Sequence, residues 1–238
     1  MPFDESMDIM RRALMLWKQA GDNPSERQYY DFVSLVTLAI SKAGEPVPGF
    51  HSILTQVHFD MDNFPAAWQE AEKTLAIDGD DFKSQLIKAM IACALYTDSA
   101  EQAQSKKVGF LGTLGALANI TKGYRQGQEA GRRIGEAMGS KRNANQAKVQ
   151  FIQEMANLAT LFKRICNNGL AASDFVDFSR RLIKMRDGMS ESGIPIDDSL
   201  NLYALVASIS PSKIICETDE EKDEVHTSQL IAQGRMSL

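Results

Sequence analysis

Several ingredients are scarce in this chain, and each scarcity excludes something. Cysteine occurs three times, as Cys93, Cys166 and Cys216, widely spaced and without a CxxC pair. No disulfide framework follows from that arrangement. Met90-Ile91-Ala92-Cys93 and Phe162-Lys163-Arg164-Ile165-Cys166 instead read as helical settings for a small buried hydrophobe. A reducing compartment, and hence the cytoplasm, is expected. Long apolar runs are also missing: the longest nearly uncharged stretch, 108–120, falls short of the roughly 20 residues a spanning helix needs. The acidic start Met1-Pro2-Phe3-Asp4-Glu5 lacks the basic residues and apolar run of a signal peptide. Positive charge is in deficit, with a net −5 and a pI near 5.3, which disfavours general affinity for nucleic acid.

Apolar residues recur at three and four residues through most of the sequence, and strand-like alternation is nearly absent, so the class is all-α. With 44% hydrophobic and 24% charged residues over 238 positions, the chain can bury a core without staples. A first helix is predicted over 5–20, with Met7, Met10, Leu14 and Trp17 on one side, stopped by Gly21-Asp22-Asn23-Pro24. Ser25 can cap the second helix. There Tyr29, Phe32, Val33, Leu35, Val36, Leu38 and Ile40 cover nearly the whole surface, which predicts a central, well-buried element.

Further helices are expected over 49–58, 64–77 and 82–96, with another start at Ser99. Beyond a break at Ser140-Lys141-Arg142-Asn143 come 144–166, 173–190 and 197–208, with Ser173, Asp197 and Asp198 as caps. From Ser210 the apolar density falls, and 217–224 is an acidic run; Pro211 onward reads as a weakly docked or disordered tail, with docking in cis on basic surface as the alternative.

Catalytic and metal-binding patterns are hard to find. Gly109-Phe110-Leu111-Gly112-Thr113-Leu114-Gly115 has the glycines of a phosphate loop but no lysine-serine ending and no preceding strand. His51 and His58 can share a helix face, yet no third metal ligand lies nearby, and His226 sits in the acidic tail. Nothing marks a Ser/His/Asp or Cys/His set. Glu70 with Asp78, and Asp174 with Asp177, sit where solvated helix faces and caps put carboxylates. No catalytic residue, cofactor or metal is expected, and no enzyme.

The stretch Asn63-Phe64-Pro65-Ala66-Ala67-Trp68-Gln69-Glu70-Ala71-Glu72-Lys73-Thr74-Leu75-Ala76-Ile77-Asp78-Gly79-Asp80-Asp81 resembles the second helix and inter-repeat turn of a tetratricopeptide repeat. Ala67 and Ala71 allow close helix approach, Leu75 fills the groove, and the Asp-Gly turn starts the next helix. The 49–58 helix serves as first helix of the pair, and Ala89 supplies a small residue in the next. The resemblance covers 48–96. It implies an adaptor that holds a protein or peptide partner on a concave helical surface.

The least ordinary feature is a ladder of glycines, Gly123, Gly127, Gly131, Gly135 and Gly139, one every fourth residue. In a helix each costs about 1 kcal/mol relative to alanine, a loss that close packing against another helix can offset. Such packing would allow self-association through this helix, and flexibility is the rival explanation of the ladder. Four residues turn through roughly 400°, so the row drifts and a partner must cross it at an angle. Within 105–144, eight Lys and Arg stand against Glu129 and Glu136, a net of +6 that leaves −11 for the remainder. Lys122, Arg125, Arg132 and Arg133 are the candidate partner-binding cations. Preceded by Phe110, Leu111, Leu114, Leu117 and Ile120, they also suit an anionic membrane surface. Aromatics for base stacking are few there.

Together these readings give a non-catalytic scaffold, adaptor or assembly subunit, with a membrane-surface protein as the alternative. It divides into a repeat-like region (1–100), a glycine-rich basic helix (101–143), a C-terminal helical bundle (144–209) and an acidic, weakly ordered tail (210–238).

Overall fold

A computed structural model describes residues 2–21, 23–103, 144–191, 194, 206 and 209–233. The described residues form eight α-helices and one parallel pair of two-residue strands, so the fold is all-α. The glycine ladder and the whole of 104–143 lie outside the described residues.

Helix α1 (Pro2–Ala20) carries Asp4 and Glu5 in its first turn and Lys18 in its last, as the helix dipole favours. It ends at Gly21, whose φ of 67° is the left-handed conformation that closes many helices. Helix α2 (Glu26–Lys42) starts at the expected Ser25, which forms a reciprocal capping box with Gln28. The two helices are antiparallel: Ser6 Oγ donates to the Ala39 carbonyl at 2.8 Å, and Trp17 rests on Phe32 with ring centres 4.8 Å apart. At the same end as Ser6, Lys42 reaches Glu5 at 3.4 Å.

Helices α3 (Pro48–Asp60) and α4 (Phe64–Ile77) form the second hairpin, turned by Asp62 at φ 58°. Ala67 and Ala71 are fully buried, as close packing of α4 requires. Asp81 accepts from the Ser84 amide at 2.7 Å and opens α5 (Phe82–Ala103). The separate start expected at Ser99 does not occur. Thr97 and Ser99 turn their hydroxyls back onto the Cys93 and Leu95 carbonyls, so their polar groups are satisfied without ending the helix.

Helix α6 (Ala144–Asn168) returns along α5, stacking Phe151 on Tyr96 at 5.9 Å. Strand β1 (Leu170–Ala171) leads into α7 (Ala172–Glu191), with Ser173 inside its first turn. Beyond a 3-10 turn at Pro211–Lys213, strand β2 (Ile214–Ile215) pairs in parallel with β1, Leu170 opposite Ile214 and Ala171 opposite Ile215. Helix α8 (Asp219–Ala232) follows and packs on α7. Where a weakly docked acidic tail was expected, 211–233 is thus ordered. Its acidic residues Asp219, Glu220 and Glu221 occupy the first turn of α8 behind a Thr218–Glu221 capping box, a favourable place for negative charge. Val225 is buried, and Gln229 donates to the Ile209 carbonyl at 2.8 Å.

Two hydrophobic clusters hold the chain together. The smaller unites Met10 and Ala13 of α1, Tyr29, Phe32, Val36 and Ala39 of α2, and Phe50, Leu54 and Val57 of α3. The larger begins at Phe59 of the same α3 and runs through α4 to α8, centred on Phe162, whose ring lies 4.1 Å from Phe178 and 5.6 Å from Phe82. An ionic clamp ties α4, α5 and α6. Lys88 lies over the Trp68 ring at 4.6 Å and reaches Glu154 at 3.4 Å and Glu72 at 3.7 Å, while Gln85 donates to Glu154 at 2.9 Å.

Candidate partner-binding surface

The candidate cations Lys122, Arg125, Arg132 and Arg133, and the packing glycines Gly123, Gly127, Gly131, Gly135 and Gly139, all lie outside the described residues. The hairpin singled out by its repeat-like sequence, 48–96, keeps its large apolar groups inside. Ile77, at its far end, is the one large hydrophobe there that is exposed.

Several of its polar groups are paired, with one another or with α2 and α6, while Ser84 Oγ is buried without a hydrogen-bond partner among the described residues. His51 Nδ1 meets Glu70 Oε2 at 2.6 Å, and Lys73 holds the other carboxylate oxygen at 2.6 Å. Glu70 is therefore not the solvated carboxylate that the sequence suggested. Burial raises its pKa, but the hydrogen bonds and charges of Lys73 and His51 prevail, and the net shift is downward. One helical face further along, His58 Nδ1 lies 2.6 Å from the Tyr29 hydroxyl, which also accepts from Asn63 Nδ2 at 2.9 Å. The two histidines share α3, as their spacing implied, but they turn to different partners.

The remaining chemistry is equally engaged. Asp78 accepts from the Asp80 amide, Asp177 pairs with Arg181 at 2.8 Å, and Asp174 lies 3.8 Å from Lys83. Burial pushes the Cys93 thiol up to about 12 and the Cys166 thiol up to about 11, so neither forms a thiolate at neutral pH. Asp60 is pushed up to about 6 by burial, against the opposing pull of Gln56 and Arg181. Among the described residues, no three His, Cys, Asp or Glu are grouped to hold a metal, and no helix is long and apolar enough to cross a membrane.

Among the described residues, exposed large hydrophobes occur on α6 (Val149, Ile152) and at Ile215, but three successive ones occur on the first hairpin. Leu14, Met15 and Leu16 are exposed to 42%, 58% and 48%. Three successive residues sweep roughly 200° of a helix, so together with buried Ala13 and half-buried Trp17 they make α1 apolar all round at this height. On α2, Tyr30 and Leu38 are also exposed, at 56% and 44%, and no charged residue occurs from Phe32 to Ser41. Helix α2, expected to be buried on nearly every side, thus buries only the face toward α1 and α3. Leu14, expected on the inner side of α1, sits at its margin. The missed residues had a signal: the unbroken run Ala13-Leu14-Met15-Leu16-Trp17 has no polar side to give to water. No family model, no curated protein and no solved structure matches the chain.

Proposed function

We propose that this chain is a non-catalytic helical scaffold that binds a protein partner through the outer face of its α1–α2 hairpin. The observation that carries the reading is the belt of Leu14, Met15 and Leu16, three adjacent large apolar side chains each more than two-fifths exposed. Scattered single hydrophobes on a surface need no explanation, but a contiguous belt left in water costs roughly 25 cal/mol for each Å² that a partner could cover. The uncharged outer face of α2, with Tyr30 near the same end as the belt, extends that surface, and tyrosine is enriched at protein interfaces.

The engagement of His51, His58 and Glu70 in structural contacts and the burial of the Cys93 and Cys166 thiols support the non-catalytic half of the reading among the described residues. The test is affinity capture from the native source with two baits, the intact chain and a Leu14→Ser/Met15→Ser/Leu16→Ser variant, matched for fold by circular dichroism. A protein retained in constant ratio by the first and lost from the second is the expected result. Equal retention by both baits, or no retention by either, overturns the assignment of the belt.

A further inference from the structure

We propose that the Tyr29–His58 contact makes docking of the α1–α2 hairpin on α3 a pH-sensitive device, closed at neutral pH and released as the medium acidifies. The inference is independent of the partner-binding role. Its basis is the way the hairpin attaches among the described residues. There, helices α1 and α2 pack chiefly on each other, and α2 meets the other elements mainly at α3, through the cluster that joins Tyr29, Phe32 and Val36 to Phe50, Leu54 and Val57. The connection between α2 and α3 turns at Gly44, φ 76°, ahead of Pro46 and Pro48.

The polar contact within this seam is buried on both sides: Tyr29 and His58 are 5% and 7% exposed. Asn63 donates to the phenol oxygen, and the phenol proton then has His58 Nδ1, 2.6 Å away, as its acceptor when that nitrogen is unprotonated. An imidazolium there would turn Nδ1 into a donor and take that acceptor from the phenol proton. It would also have to be held away from water.

The surrounding charges do not rescue it. From α4, Glu70 favours the charged form and Lys73 opposes it, and Glu70 is already held by His51 and Lys73. From α2, Tyr29 is neutral, its pKa raised by burial. From α5, Lys88 is turned to Glu72 and Glu154. Burial is the largest influence, and the His58 pKa lies below its ordinary 6.5.

The sign follows. A lowered pKa in the docked state means that the contribution to docking is present above 6.5 and is lost as pH falls through the docked-state pKa. Each pH unit below 6.5 shifts the docked-to-open ratio by up to about tenfold. Asp60 works in the opposite sense. Its pKa, raised to about 6, gives a contribution that is full below 3.8 and lost as pH rises through 6. Asp60 interacts with Arg181 of α7, on the side of the larger cluster, so a global stability curve would sum two opposed effects. Only a region-resolved measurement separates them.

The experiment is hydrogen exchange read by mass spectrometry on the full chain at pH 7.5, 6.5 and 5.5, corrected for intrinsic rates. The expected result is a loss of protection, up to about fivefold between pH 6.5 and 5.5, confined to 2–20 and 26–42, with no loss in 64–77 and 82–103. In His58→Asn, which keeps an acceptor but does not titrate, that loss should vanish. A uniform loss, no loss, or the same loss in the variant overturns the proposal. Should the variant fold poorly, nuclear magnetic resonance titration of the wild-type His58 ring decides: a midpoint below 6.5 that coincides with the change in α2 is required, and a midpoint at or above 6.5 refutes the device.

Discussion

The two hydrophobic clusters that meet on α3 differ in how completely they spend their apolar residues. Around Phe162 the larger cluster closes from several sides, with Phe82, Phe175 and Phe178 packed on one ring and helices α4 to α8 supplying walls. The smaller cluster, among the described residues, has α3 on one side, and its two outer helices carry the exposed Leu14, Met15, Leu16, Tyr30 and Leu38. The same kind of amphipathic helix is thus mainly a wall in one region, where α6 leaves Val149 and Ile152 exposed, and more of a surface in the other. Apolar content alone does not tell them apart; the number of neighbours does.

That contrast can be broken experimentally. Phe162→Ala removes a fully buried ring from the best-enclosed site and should cost about 5 kcal/mol, at the upper end for such a truncation, read as a single shifted urea transition. Phe32→Ala should cost about 3 kcal/mol, because a cluster open on one side can close in around the hole. Its effect should appear in hydrogen exchange as opening of 2–42 ahead of the rest, and coincident opening of all helices would show that the two clusters unfold as one.

Lys88→Met strips the cation from buried Glu154 and should cost about 3 kcal/mol. Adding Glu154→Leu should restore most of that loss, since the penalty comes from an unpaired buried charge. Gly169→Ala should cost about 1–2 kcal/mol, because its φ is 92° and an added Cβ would lie 3.0 Å from Ile215 Cδ1. Loosening of β2 and α8 by exchange is the signature to look for. Met15→Ser should change stability by less than about 0.5 kcal/mol in the same urea experiment. A large loss would show that the belt packs against the chain itself.

Much of the fold was legible in the sequence. Ser25, Gly21 and Gly44 bound the first two helices, Phe64–Ile77 begins and ends where the periodicity and the Asp-Gly turn placed it, and all-α was the right class. These are local matters: a cap or a glycine acts within one turn of backbone, so neighbours in sequence suffice to find it. The β1–β2 pair was not legible, because two-residue strands are too short to show alternation and join positions 170 and 214. The ordering of 211–233 was hidden similarly. Its Thr218–Glu221 capping box is local, but docking depends on Val225 and Gln229 meeting distant residues.

The candidate surface divides along the same line. The sequence by itself determined that α1 is apolar all round at Ala13–Trp17 and that α2 carries no charge from Phe32 to Ser41. It also set His51 and His58 on one helix, two turns apart. Only the tertiary structure decided which apolar face is covered, that Glu70 leaves solvent for His51 and Lys73, and that His58 is sealed against Tyr29. Periodicity says which side chains prefer to leave water, whereas burial depends on what arrives from elsewhere in the chain, and among the described residues α1 and α2 are covered on one side.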